Sequence, residues 1–117
     1  MAPEIAGIDE PGAAFVLARE NERAVGCGAI RPHTAAIAEV KRMYVEPPFR
    51  RRGIARLILE KLEKIARSNG FEEIRLETGQ WQPGAMRLYE SMNYAHIPGF
   101  GEFKDDPLNA CYGKKLA

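Results

Sequence analysis

The residues with the plainest chemistry are Arg50-Arg51-Arg52-Gly53-Ile54-Ala55-Arg56. They follow Val45-Glu46-Pro47-Pro48-Phe49, where two prolines end an extended run, and they lead into a segment of helical period. A helix beginning at or just before Gly53 leaves its first four N–H groups without internal partners and gathers about half a positive charge there. Gly53 and Ala55 keep that first turn bare, so a bulky anion can approach the backbone itself. The arginines add donors suited to phosphate. Nine basic and three acidic residues lie between Lys41 and Arg67, so this stretch carries +6 while the remainder carries −5, within a net charge of +1. That imbalance points to a local anion site of diphosphate size and away from a general nucleic-acid or membrane surface. Neither G-x-x-x-x-G-K-[ST] nor G-x-G-x-x-G occurs, which excludes a Walker loop and a dinucleotide fingerprint.

The elements that must position this loop can be read from period and punctuation. The 117 residues, 45% hydrophobic and 28% charged, suit one globular domain over 1–117 and exclude collagen-like, coiled-coil and disordered chains. Residues 1–13, rich in Pro, Gly and Glu, read as an N-terminal arm. Three strands are expected at Ala14–Arg19, Ala24–Arg31 and Ala36–Val45, forming an antiparallel meander. Gly26 and Gly28 mark a twist or a close neighbour in the second. The period then changes to 3.6. Ile54, Leu57, Ile58, Leu62, Ile65 and Ala66 form one apolar stripe, with Glu60–Lys64 and Glu63–Arg67 as i,i+4 pairs on the outer side. Gly70 suits the left-handed exit. A strand over Glu73–Thr78 follows, then a helix opening at Pro83 with Ala85, Leu88, Tyr89 and Met92 on its apolar side and Asn93 at its exit. Strands at Tyr94–Ile97 and Leu108–Lys114 complete the order βββ-α-β-α-ββ. The fold class is α/β: a mixed, largely antiparallel sheet with packed helices.

Arg50-Arg51-Arg52-Gly53-Ile54-Ala55 matches the [QR]-x-x-G-x-[GA] pattern of the GNAT acyltransferase superfamily, and Met43-Tyr44-Val45 resembles its lead-in strand. Ala85-Met86-Arg87-Leu88-Tyr89-Glu90-Ser91-Met92-Asn93-Tyr94 resembles the family's A-x-x-L-Y-x-x-x-G-[FY] helix. The resemblance runs from about Phe15 to the C-terminus. It implies a GNAT-like fold and an acetyl-CoA-dependent N-acetyltransferase in which an amine attacks the thioester directly. The pyrophosphate would lie on the N–H groups of Arg51 to Arg56, with Arg50 in the same loop, and the pantetheine arm alongside Met43, Tyr44 and Val45. The Val45 N–H would be the oxyanion donor, and Tyr89 would assist the departing thiolate. A phenol near ~10 cannot hand its proton downhill to a thiolate near ~8.5, so Tyr89 would act by hydrogen bonding. Glu39 is the candidate base, on the face of Met43 and Val45 unless a bulge near Lys41-Arg42 shifts the register. Two departures stand out. Gln82 replaces an Asn that contacts the cofactor in the family, and Asn93 replaces a Gly whose left-handed geometry Asn tolerates.

Plainer readings accompany these. Tyr89 also suits a core position, and Glu39 also suits a strand carboxylate paired with Lys41 or an arginine. Cys27 and Cys111, without partners at metal-ligand spacing, read as reduced buried thiols of a cytoplasmic protein. His33 and His96 lack ligand partners, and no metal is expected. Trp81, Phe100, Phe103 and Tyr112 line an acceptor pocket or fill core. The opening residues lack a signal-peptide pattern, and no apolar run approaches a membrane span. The rival functions are a non-catalytic acyl-CoA-binding module and a nucleic-acid-binding module using 41–67. The acceptor is a small-molecule or peptide amine. Because few residues precede the first expected strand, the sheet is expected to lack an edge strand, which a homodimer partner would cover.

Overall fold

The computed structural model describes residues 4–7, 12–79, 83–100 and 108–116, the first of these by backbone alone. Its strands are β1 (Glu4–Gly7), β2 (Ala14–Glu20), β3 (Arg23–Pro32), β4 (Ile37–Val45), β5 (Glu73–Gly79), β6 (Ala95–His96) and β7 (Asn109–Lys115). A 3-10 turn at Pro47–Phe49 follows β4. The helices are α1 (Ile54–Ser68) and α2 (Pro83–Ser91). The sheet has seven strands in the order β1-β2-β3-β4-β5-β7-β6. Only β4 and β5 run parallel, joined by the α1 crossover; the other neighbours are antiparallel.

The N-terminal arm is corrected by β1, which pairs Glu4 with Leu17 through Gly7 with Ala14 and fills the edge expected to be bare. Local composition argues against a strand there. The unpaired N–H and C=O groups of β2 supply what the local sequence does not.

Both helices lie on one face of the sheet. Ile54, Ile58, Leu59, Leu62 and Ala66 of α1 pack over Val16, Val25, Ile30, Ile74 and Leu76, each full burial of such a side chain contributing ~1.5–3 kcal/mol. Gly28 lets α1 come close: a Cβ there would stand 2.7 Å from both Ile58 Cγ2 and Met43 Sδ. Two details of the expected stripe are revised. Leu57 is 55% exposed, beside an apolar groove with Val16 and Ala18. Glu63 is not on the outer side but buried, accepting hydrogen bonds from Tyr94 Oη at 2.7 Å and Lys114 Nζ at 3.0 Å. This network ties α1 to the end of α2 and to β7. Burial, ahead of the Glu63 carboxylate, pushes the Tyr94 phenol well above its ordinary range.

The left-handed exits fall at Gly70 (φ 85°) and Asn93 (φ 71°), as expected of these residue types. Among the described residues, no helix is long and apolar enough to cross a membrane.

Candidate active site

The site begins where β4 and β5 part. Their pairing runs only from Ile37–Glu73 to Glu39–Arg75. Beyond that, β4 continues to Val45 and β5 to Gly79 with no strand pairing between them, bridged only by the Lys41–Glu77 ion pair among the described side chains, and a cleft of about 370 Å³ opens between. Val40, Met43 and Tyr89 give it apolar wall; Lys41, Arg42, Glu77, Thr78 and Asn109 give it polar wall.

A bulge in β4 decides which groups face which way. Gly26 pairs with Val45 and Cys27 with Tyr44, but Ala29 pairs with Lys41, so Gly28 stands opposite both Arg42 and Met43. Arg42 takes a left-handed φ of 58° to accommodate the extra residue. Parity therefore changes along the strand. Met43 and Val45 lie near the positions a Cβ would take at Gly28 and Gly26, on the helix face. Val40 is opposite Ile30 on that same face, which puts Glu39 and Lys41 on the other one. The expectation that Glu39 shares a face with Met43 and Val45 is corrected by this bulge.

The backbone of Val45 is oriented by its neighbours. Glu46 donates its N–H to Val25 O at 2.9 Å, so the preceding Val45 N–H points the opposite way, toward the opening beside β5. The Val45 carbonyl accepts Arg50 Nε at 2.8 Å, which fixes the end of β4 to the following loop. An N–H held in that direction by its own strand is a preorganised donor.

At the top of the cleft the loop turns into α1 through two left-handed residues, Arg51 (φ 63°) and Gly53 (φ 80°). The first backbone bond of the helix is Leu57 N–H to Gly53 O at 3.1 Å, and no side chain caps the N-terminus. The N–H groups of Ile54, Ala55 and Arg56 thus precede the ladder, and a Cβ on Gly53 would meet nothing within 4 Å. A cradle of amides with open space in front fits a diphosphate.

The arginines divide their duties. Arg52 turns to β2 and bonds both oxygens of Glu20, at 3.0 and 2.9 Å. Arg56 donates to Ser91 Oγ of α2 at 2.7 Å. Arg50 lies over the exposed Tyr44 ring at 5.5 Å as well as on Val45 O. Gln82, Trp81 and Phe103 lie outside the described residues.

Tyr89 is buried at the cleft, its ring 6.0 Å from Tyr94 and 5.9 Å from Tyr112, and burial pushes its phenol up. Glu39, 4% exposed, is held by Arg31 Nε at 3.1 Å and Lys41 Nζ at 3.4 Å; Lys41 reaches Glu77 as well, at 3.8 Å. The paired reading of Glu39 is the arrangement seen. Phe100 is buried, with His33 edge-on at 5.2 Å, and Tyr112 is core. His96 stands 4.3 Å from the Tyr112 ring and 3.6 Å from Glu90. Cys111 is a buried free thiol; Cys27, expected buried, is only half-buried and donates to Arg42 O at 3.2 Å. Nothing in the spacing of Lys41, Arg42, Glu77, Thr78 and Asn109 along the chain marks them as site residues, because strand pairing alone brings them together.

A strand splayed from its neighbour, with an uncapped helix N-terminus at its end, is the arrangement that the resemblance implies for an acyl-CoA-binding α/β domain. A profile of the acetyltransferase (GNAT) family matches residues 2–94, and the chain belongs to that family. It is 39% identical over 108 residues to an IAA acetyltransferase of Azospirillum brasilense, covering 92% of this chain and 71% of that protein. It is 31% identical over 109 residues to the uncharacterized N-acetyltransferase YsnE of Bacillus subtilis, with 91% and 72% covered. An Elizabethkingia anophelis GNAT acetyltransferase with acetyl-CoA bound shares the fold at TM-score 0.79 and 18% identity, over 97% of this chain and 95% of that one.

Proposed function

We propose that this chain is an acetyl-CoA-dependent N-acetyltransferase that passes the acetyl group to a primary amine by direct attack. The observation that carries the reading is the parting of β4 from β5 directly below the uncapped N-terminus of α1. Acetyl-CoA supplies an acetyl thioester, activated toward amines. The amides of Ile54, Ala55 and Arg56, with Arg51 beside them, hold its diphosphate. The exposed backbone edge of Met43 and Val45 orients the pantetheine arm. The Val45 N–H stabilises the oxyanion that forms when the amine adds to the carbonyl. The Tyr89 hydroxyl hydrogen-bonds the sulfur as it takes up charge. Its raised pKa makes full proton transfer cost more than ~2 kcal/mol, so it stabilises the leaving thiolate without ionising. Glu39 reaches the acceptor's proton only through a relaying water, since Arg31 and Lys41 engage its two oxygens.

That pairing of Glu39 is also what favours the second reading, an acyl-CoA-binding module without turnover. A thermal-shift titration with acetyl-CoA, followed by thiol release over an amine panel, separates the two. Saturable stabilisation with amine-dependent thiol release supports the transferase. Stabilisation without release from any amine supports the binding module, and no stabilisation overturns both.

A further inference from the structure

The rim of the cleft carries Arg42, whose guanidinium makes no ion pair among the described residues. Arg42 is held at the bulge in a left-handed conformation that ordinary residues avoid, and such outliers concentrate at functional sites. Its carbonyl is engaged by Cys27 Sγ at 3.2 Å, while its exposed side chain lines the cleft. The other charges nearby are already matched. Lys41 lies between Glu39 and Glu77, and Arg31 completes the pairing of Glu39. Among the described residues, no carboxylate lies within 4.0 Å of the Arg42 guanidinium. Among the described residues, Arg42 is thus the cleft-lining cation without an ion-pair partner, set beside the apolar Val40, Met43 and Tyr89 and the neutral polar Thr78 and Asn109.

We infer that the acceptor amine also carries a carboxylate, and that Arg42 is the specificity-determining residue that receives it. The inference rests on the transferase reading above and deepens it. A planar guanidinium takes a carboxylate through two parallel hydrogen bonds, which fixes orientation as well as affinity. Seating the acid on Arg42 leaves the amino end of the same molecule directed along the cleft toward Val45. A second ammonium in place of the acid meets like charge, so polyamines are disfavoured.

The test uses α- and ω-amino acids, each beside its carboxamide and its decarboxylated amine. Binding is read first, as thermal stabilisation of the CoA-saturated protein. At least one acid should bind tenfold or more tightly than its amide and its decarboxylated amine. Arg42→Asn keeps a residue tolerant of the left-handed bulge and should remove that preference, whereas Arg42→Lys should retain part of it. CoA affinity of both variants should match the parent, which shows that the bulge has survived. Amides or amines that bind as well as the acids overturn the inference. So does binding by none of the acids, or a preference that survives Arg42→Asn. Thiol release is read second. Acids that bind through Arg42 but release no thiol leave the anion site standing and overturn the transferase. Release with amides or simple amines alone leaves the transferase and overturns the role of Arg42.

Discussion

A carboxylate at residue 53 tests the anion cradle at its most exposed point. Gly53 sits at φ 80°, and a Cβ there would meet nothing within 4 Å. A side chain at this position therefore costs left-handed backbone strain, roughly 1–2 kcal/mol, without any clash. Gly53→Ala carries that cost alone, and Gly53→Glu adds a negative charge in front of the Ile54, Ala55 and Arg56 amides. A carboxylate about 6 Å from a diphosphate of about two charges repels it by ~1.4 kcal/mol in bulk water. The figure is about four times larger at the effective dielectric of a protein surface. CoA affinity of Gly53→Glu should therefore fall at least tenfold below that of Gly53→Ala, while their melting temperatures stay together. Calorimetric titration of both variants measures the gap, and ~1 M salt should narrow it because the Debye length shrinks to ~3 Å. Affinity of Gly53→Glu within threefold of Gly53→Ala would refute an anion held at this N-terminus.

Tyr89→Phe keeps the ring contacts with Tyr94 and Tyr112 and removes only the hydroxyl. Steady-state kinetics should show kcat lowered ~10–100-fold at unchanged CoA affinity and melting temperature, and an unchanged kcat returns Tyr89 to the core. At Glu73 burial pushes the carboxyl up, but hydrogen bonds from Arg75 and Lys115 outweigh it and hold the pKa below the ordinary range. A lowered folded-state pKa gives stability that is present above the unfolded value of ~4.3 and lost as pH falls through the folded one. Glu73→Gln should thus be less stable than the parent in urea at pH 7, with the difference closing in acid; an equal difference at pH 7 and pH 3 contradicts this.

Local chemistry was legible in the sequence where it depends on neighbours along the chain. The prolines after Val45, the glycine before Ile54 and the apolar stripe of α1 place the anion loop without knowledge of the sheet. Asn93 and Gly70 likewise declare left-handed exits. Strand partners are different. β1 has little strand character of its own, and it exists because Phe15, Val16 and Leu17 offer an edge to pair with. Leu57 belongs to the helical period, yet it is exposed beside a groove that it shares with Val16 and Ala18 of β2. The side of the sheet on which Glu39 falls depends on one extra residue at Arg42, and residue types alone do not count bulges.

The charge tally of the sequence carries a subtler lesson. It implies that a cluster of arginines clamps the anion, yet most of that cluster is engaged by the protein. Arg50 holds Val45 O, Arg52 holds Glu20 across to β2, and Arg56 holds Ser91 across to α2. These bonds join the loop to β4, β2 and α2, the elements that frame the N-terminus of α1. Their work is to hold a row of amides rigid, and preorganised amides bind an anion without the entropy cost of ordering long side chains. The same logic runs down the cleft. Arg50 fixes the Val45 carbonyl and the ladder to β3 turns its N–H toward β5, so in the proposed mechanism this donor would need no reorganisation as charge develops on the attacked oxygen. An excess of positive charge in the sequence thus becomes, in the fold, a scaffold for backbone donors.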